Sequence, residues 1–158
     1  MAILADRVVL QDEIGFVSEA AMTAGTVVVF KTSQGTGIGV GQGVNDSAPI
    51  GVAGPGTPTS GNSKLAGVLL TDVISLDQTK YKRNPHKTEQ MIGEPMYLMR
   101  KGEIWTNSIT GTPSAGDAAY LSTSGTVTNS QVSGAPKVGQ FKTSKDDNGY
   151  AKLFVDIV

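Results

Sequence analysis

Apolar positions along this chain come in short alternating runs set off by glycine, and a period of two is that of half-buried strands. The clearest case is a ten-residue phrase that occurs twice, GEPMYLMRKG over 93–102 and GDAAYLSTSG over 116–125. In each copy the opening glycine and its acidic neighbour suit a turn. The Tyr-Leu step then places one large side chain on each face of a strand, and the closing glycine suits the next turn. A looser copy, AGTVVVFKTSQG, carries the β-branched run Val27–Val29 followed by Phe30. Return strands are expected in EIWTN after Gly102 and in TVTN after Gly125, so both phrases predict antiparallel hairpins. Further strands are expected in APIGVAG, KLAGVLLTDVI and PKVGQF. The C-terminal GYAKLFVDIV alternates so that Ala151, Leu153, Val155 and Ile157 share an apolar face, as a core strand does.

Three stretches depart from this pattern. Ser18–Gly25 is the one short helical candidate, with Ser18 as cap and Gly25 as stop. Ile3–Phe16 has apolar residues without a clean period, which reads as an extended N-terminal arm, within residues 1–20, that orders against a neighbour. Residues 35–63 form a Gly/Pro/Ser-rich loop region. Its glycines at 35, 37, 39, 41 and 43 keep a strict period of two, so they give neither G-x-G-x-x-G nor a Gly-Lys-Ser/Thr phosphate loop. They read instead as a strand or loop with one bare face, followed over 51–63 by a long exposed loop. The expected fold is all-β: one domain over 1–158, a small β-barrel or sandwich of antiparallel hairpins.

Composition agrees and removes several chemistries. The 158 residues suffice for one core, and 6% aromatic and 17% charged residues with 20 glycines suit strands joined by tight turns. Without cysteine there are no disulfides, thiolate metal sites or cysteine nucleophiles. The start lacks the order of a secretion signal and no apolar run reaches the ~18 residues of a span, so a soluble protein made in the cytoplasm is expected. His86, the single histidine, stands among cations in KYKRNPHKTEQ and reads as a solvated loop residue rather than a base. Asp12-Glu13 and Asp146-Asp147 are strand neighbours that point apart, and KDDNGY reads as a hairpin turn with Asn148-Gly149 at its tip. No catalytic, metal or cofactor-binding set emerges.

Charge is more informative by place than by sum. The net charge of −1 argues against a general nucleic-acid binder. Residues 80–103 are nevertheless locally basic. Lys80, Lys82, Arg83 and Lys87, with Tyr81 among them, make either a solvated loop or a patch that docks on an acidic protein surface, where charge steers more than it binds. One aromatic is a poor platform for single-stranded nucleic acid. Trp105, the sole tryptophan, reads equally as a strand filler or as an interface anchor.

Taken in order, IGEPMYLMRKGEIWTN, AGDAAYLSTSGTVTN, PKVGQFKTS and GYAKLFVDIV resemble the capsid cement, or head decoration, proteins of tailed bacteriophages. The match runs from Ile92 to Val158, with AGTVVVF and LAGVLLTDV fitting more loosely. The resemblance implies a non-enzymatic β-rich virion protein, without cofactor, on the outer capsid surface. Such proteins bridge neighbouring major capsid subunits against the pressure of packaged DNA, commonly as homotrimers or dimers, without direct nucleic-acid or membrane contact. On that reading Ile3, Leu4, Arg7, Val9, Leu10 and Phe16 of the arm, with Lys80, Tyr81, Lys82, Arg83 and Lys87, are expected to carry the capsid contact. Trp105 is the candidate for the oligomer interface. A carbohydrate-binding or host-adhesion β module, and a trimeric nucleotide hydrolase with shared sites, remain as other readings. One Trp and four Tyr on separate strands make a thin sugar platform, and no acidic-Gly substrate motif is present.

Overall fold

The computed structural model describes residues 3–18, 20–30, 52–56, 64–74, 89–92, 94–132 and 134–157. Among them the chain is all-β, as expected. The strands are β1 (Ile3–Ser18), β2 (Val27–Phe30), β3 (Val52–Pro55), β4 (Leu65–Leu69), β5 (Asp72–Ile74) and β6 (Glu89–Met91). They continue with β7 (Pro95–Thr106), β8 (Ile109–Thr110), β9 (Ala118–Leu121), β10 (Val127–Thr128), β11 (Lys137–Phe141) and β12 (Ala151–Asp156).

β7 organises the molecule. On one edge it pairs antiparallel with β1 along most of its length, and on the other with β4 at Leu98 and Met99 and then with β12 from Lys101 to Thr106. β1 turns onto β3, β3 onto β2 and β2 onto β4, so β7, β1, β3, β2 and β4 close a ring. From β12 the sheet continues open through β11, β9, β10 and β8. A small closed barrel therefore shares its central strand with a curled half-barrel.

The core follows from that sharing. Val27, Val68 and Met99 point into a cluster with Ile104, Leu121, Val138, Phe141, Leu153 and Val155. Their chain neighbours Val28, Leu69 and Leu98 point the other way, into a second cluster with Met22, Val73 and Met96. Strands covered on both faces are expected to be continuously apolar, which explains the unalternated runs VVV and GVLL. The small parallel pair β5–β6 contributes Val73 to the second cluster, and the buried Thr71 hydroxyl meets Gln90 Oε1 at 2.8 Å beside it.

The repeated phrase has a physical meaning. In its first copy Glu94 returns its backbone N–H to Met91 O at 3.0 Å while its carboxylate accepts the Met91 N–H at 2.8 Å. In the second Asp117 does the same to Ser114, at 3.1 and 2.9 Å. An acidic side chain thus closes a four-residue turn from its far end both times. Leu98 and Leu121 are then fully buried, while Tyr97 and Tyr120 stand on the opposite face.

The two copies part company at their closing glycines. After Leu121 the chain makes one 3-10 turn over Thr123–Gly125 and returns as β10, with Val127 opposite Leu121, as expected of a hairpin. At Gly102 no turn occurs. β7 runs straight through, because Val9 of β1 and Val155 of β12 pair with Gly102 from either side and hold it extended. EIWTN is the second half of the same strand, not a return strand.

Three other expectations are corrected. Ser18–Gly25 is not helical: Met22 exchanges both backbone hydrogen bonds with Val73 at 2.8 and 2.7 Å, Ala24 N–H reaches Asp72 Oδ1 at 2.8 Å, and Gly25 N–H reaches Leu69 O at 2.7 Å. Met22 and Ala24 are buried while Ala21 and Thr23 are exposed, so the strap follows a period of two, and so short a segment does not sustain a helix alone. The stretch 3–16 is a strand of the chain's own sheet. Its register against β7 slips between Ile3 and Arg7, around Gln11, and between Ile14 and Val17, which erases the period a regular strand would print on the sequence. Within 51–63, Val52–Pro55 is β3 and Gly56 is buried, its N–H on Val27 O at 2.9 Å. Residues 35–51 and 57–63 lie outside the described residues.

The β11–β12 connection is the expected hairpin. Asp146 O accepts from Gly149 N–H at 2.9 Å, and Asp146 Oδ1 accepts from the N–H groups of Asn148 and Tyr150 at 2.9 and 2.8 Å.

Candidate binding surface

β1 carries the most exposed apolar surface among the described residues. Arg7, Val8 and Val9 face Ile104, Glu103 and Gly102 in step, but Gln11 faces Lys101, so Leu10 is an extra residue without a partner on β7. Such a bulge leaves its residue unpaired and re-aims the side chains around it. Val8, Val9 and Leu10 are exposed in succession, by 50%, 38% and 64%, and since Val8 and Val9 pair in step and so face opposite ways, both faces of β1 are uncovered here. Arg7 and Asp12, also exposed, flank this knob with opposite charges.

The strand beneath the knob has one free edge. β1 uses one side for β7 and meets β3 only at Val17 and Ser18, so from Ile3 to Phe16 its outer side has no strand partner among the described residues. Unpaired backbone groups on an edge are a template for another chain. Arg7 is partly committed within the molecule, since its Nη1 donates to Leu70 O at 3.2 Å. Ile3 begins β1, Leu4 follows it, and Phe16 stands two residues before its end at Ser18. Tyr97, 43% exposed, stands opposite Ile14.

A second surface is the outer face of the open sheet. Across β7 and β12, Trp105 faces Lys152, Glu103 faces Phe154 and Lys101 faces Asp156. Lys152 pairs with Glu103 at 2.7 Å and Lys101 with Asp156 at 3.3 Å, while Lys142 Nζ lies 5.2 Å from the Phe154 ring centre. Such exposed pairs add little stability, so they solvate the face more than they hold it. Trp105 and Phe154 are half-buried beneath them. Trp105 stands out in the sequence as the sole tryptophan and Phe154 does not, although the alternation of GYAKLFVDIV sets Phe154 apart from the core positions. The missing signal was Lys142, which reaches it only through the β11–β12 hairpin.

Lys80, Tyr81, Lys82, Arg83 and Lys87 lie outside the described residues. In the sequence they fall between β5, which ends at Ile74, and β6, which begins at Glu89. No helix among the described residues is long and apolar enough to cross a membrane, and no three His, Asp or Glu side chains there converge as a metal site would require.

An all-β body with exposed apolar residues on an edge strand offers a surface on which another chain can dock. The model of the phage structural cement protein family matches residues 7–155. The chain belongs to that family, and its role is that of a phage structural protein of the capsid. The match takes in the knob of β1 as well as the C-terminal repeats. No curated protein matches the chain significantly.

Proposed function

We propose that this protein binds the outer surface of the phage capsid and clamps neighbouring major capsid subunits against the pressure of packaged DNA. The observation that carries the reading is the run Val8, Val9 and Leu10, three consecutive exposed apolar residues on a strand whose outer edge has no strand partner among the described residues, within a chain of the cement family. Aliphatic groups left about half exposed side by side gain about 1–1.5 kcal/mol each when a partner covers the rest. Ile3, Leu4, Arg7, Val9, Leu10 and Phe16 of β1 meet the shell. The basic stretch Lys80, Tyr81, Lys82, Arg83 and Lys87 steers the approach to an acidic shell surface, since surface charges act on encounter more than on affinity. Self-association, as a trimer or dimer, uses the face around Trp105. The protein does this work in the virion without catalysis.

Deleting the arm is a poor test, because it also strips β7 of its ladder. Val8→Asp and Leu10→Asp leave the backbone pairing in place and charge only the knob. Added to expanded, undecorated shells, each variant is expected to show occupancy about tenfold weaker than the parent chain, the equivalent of one lost aliphatic burial. Unchanged far-UV circular dichroism shows that the fold is kept. Occupancy equal to the parent chain in both variants removes β1 from the contact.

A further inference from the structure

We infer that β1 is an exchangeable strand: copies of this chain are joined by placing residues 3–14 of one copy on β7 of another. Every described side chain of β1 from Arg7 to Asp12 is exposed, and none belongs to either core cluster. β4 and β12, the other neighbours of β7, each bring several buried residues to it. Over Arg7–Asp12 the strand is therefore held by its backbone ladder with β7 and the bond from Arg7 to Leu70 O, and both can be made by any copy.

The receiving edge is shaped for backbone and not for a particular side chain. Gly102 lies directly against Val8 O, and a β-carbon there would also meet Met99 Sδ at 2.8 Å and Val9 Cα at 3.1 Å. The slot at Gly102 admits a passing strand whichever molecule supplies it. The point of departure is also visible. Between Ile14 and Val17 the ladder with β7 slips, while Val17 and Ser18 pair with Val52 and Ala53 of β3. Beyond them the strap is tied to the body by Met22, Ala24 and Gly25. A bend at the slip leaves Val17 and Ser18 in place and frees a strand that reaches about 40 Å.

Ladders within one copy and between two copies contain the same bonds, so the balance is set by the hinge and by local concentration, the usual basis of strand exchange. A sheet completed by a neighbour's strand joins two copies more firmly than side-by-side contact. This inference concerns the chain alone and stands or falls separately from the capsid reading.

The absence of cysteine permits a direct test. Val8 and Glu103 face each other in the regular part of the ladder, at a separation suited to a disulfide. Chains carrying Val8→Cys, and chains carrying Glu103→Cys with a mass tag, are unfolded, mixed, refolded at high concentration and oxidised. Strand exchange gives a disulfide-linked heterodimer far in excess of either homodimer. The doubly substituted V8C/E103C chain then forms linked oligomers alongside any closed monomer. A doubly substituted chain that closes only within itself, together with a mixture yielding no more heterodimer than homodimer, overturns the proposal.

Discussion

The carbonyl oxygen of Val8 stands against the α-carbon of Gly102, in the space a β-carbon at 102 would occupy. Gly102 also has φ of +150°, a conformation side-chain-bearing residues rarely adopt. It pairs with Val9 on one side and Val155 on the other, so a backbone conformation open to glycine and the lack of a side chain both serve the junction of barrel and open sheet. Gly102→Ala is therefore expected to lower stability by about 3 kcal/mol, combining overpacking with backbone strain. Gly116, at φ +94°, has nothing within 4 Å of its would-be β-carbon. Gly116→Ala is expected to cost only the strain of the left-handed region, about 1 kcal/mol. Urea unfolding measures both, and hydrogen exchange adds a spatial readout: Gly102→Ala should free the β1 amides first. Equal costs for the two alanines would show that the approach of β1 is not what Gly102 is for.

Asp117 gives the fold an acid-sensitive joint. Its carboxyl is held below the ordinary value of 3.8, first by the Ser114 N–H and then by the Asn129 amide at 2.9 Å, against a small opposing desolvation. A folded pKa below the unfolded one means that the carboxylate's contribution is present above pH 3.8 and fades as pH falls through the folded value. Asp117→Asn keeps an oxygen for Ser114 but no longer titrates. The expectation is that the variant melts lower than the parent at neutral pH and that the gap narrows on acidification below 3.8. Melting curves taken across that range decide it, and a gap that stays constant with pH would mean that ionisation of Asp117 contributes nothing to the turn.

Phe141 and Phe154 sit on opposite faces of the β11–β12 ladder and test which face is core. Phe141 is fully buried opposite Leu153, whereas Phe154 is half-buried opposite Gln140 with Lys142 over its ring. Phe141→Ala is expected to cost about 3–5 kcal/mol, as truncation in a packed core does. Phe154→Ala gives up partial burial and a surface cation–π contact, a loss of about 1–2 kcal/mol. Chemical denaturation of the two variants should keep that order, and a reversed order would place the core on the wrong side of the open sheet.

What could be read from the sequence was whatever depends on near neighbours. The alternation of GYAKLFVDIV is enough to give β12 and its inward set, because a period of two survives wherever the ladder is regular. The Gly-acidic openings of the repeated phrase mark turns because each acidic side chain closes its turn three residues away. Hidden from the sequence was whatever depends on distant chain. A glycine after Tyr-Leu turns at 125 and runs straight at 102, since Val9 and Val155, each more than fifty residues distant in opposite directions along the chain, decide the matter. The knob on β1 was hidden for the same reason. Arg7, Val9 and Leu10 can be singled out from the aperiodic setting of 3–16, but their exposure, shared by Val8 between them, is set by where β1 lies along β7.

Trp105 offers the last test, because a single tryptophan reports on one place. It is half-buried on the outer face of β7, opposite Lys152 and beside the Lys152–Glu103 pair, so part of its ring meets solvent in the isolated chain. If copies associate through this face, assembly removes water from that part of the ring, and its emission moves to shorter wavelength. Dilution should therefore shift the emission to longer wavelength over the same concentration range in which sedimentation shows the assembly to dissociate. Aromatic anchors at interface centres are worth about 2 kcal/mol or more on truncation. Trp105→Ala should accordingly raise the dissociation constant about thirtyfold. Trp105 lies on the outer face and in neither core cluster, so although the variant gives up some burial within the chain, its unfolding midpoint should move less than that of Phe141→Ala. An emission maximum that stays fixed while the mass falls would put the contact between copies elsewhere, and the β1–β7 ladder would then have to carry the assembly without this face.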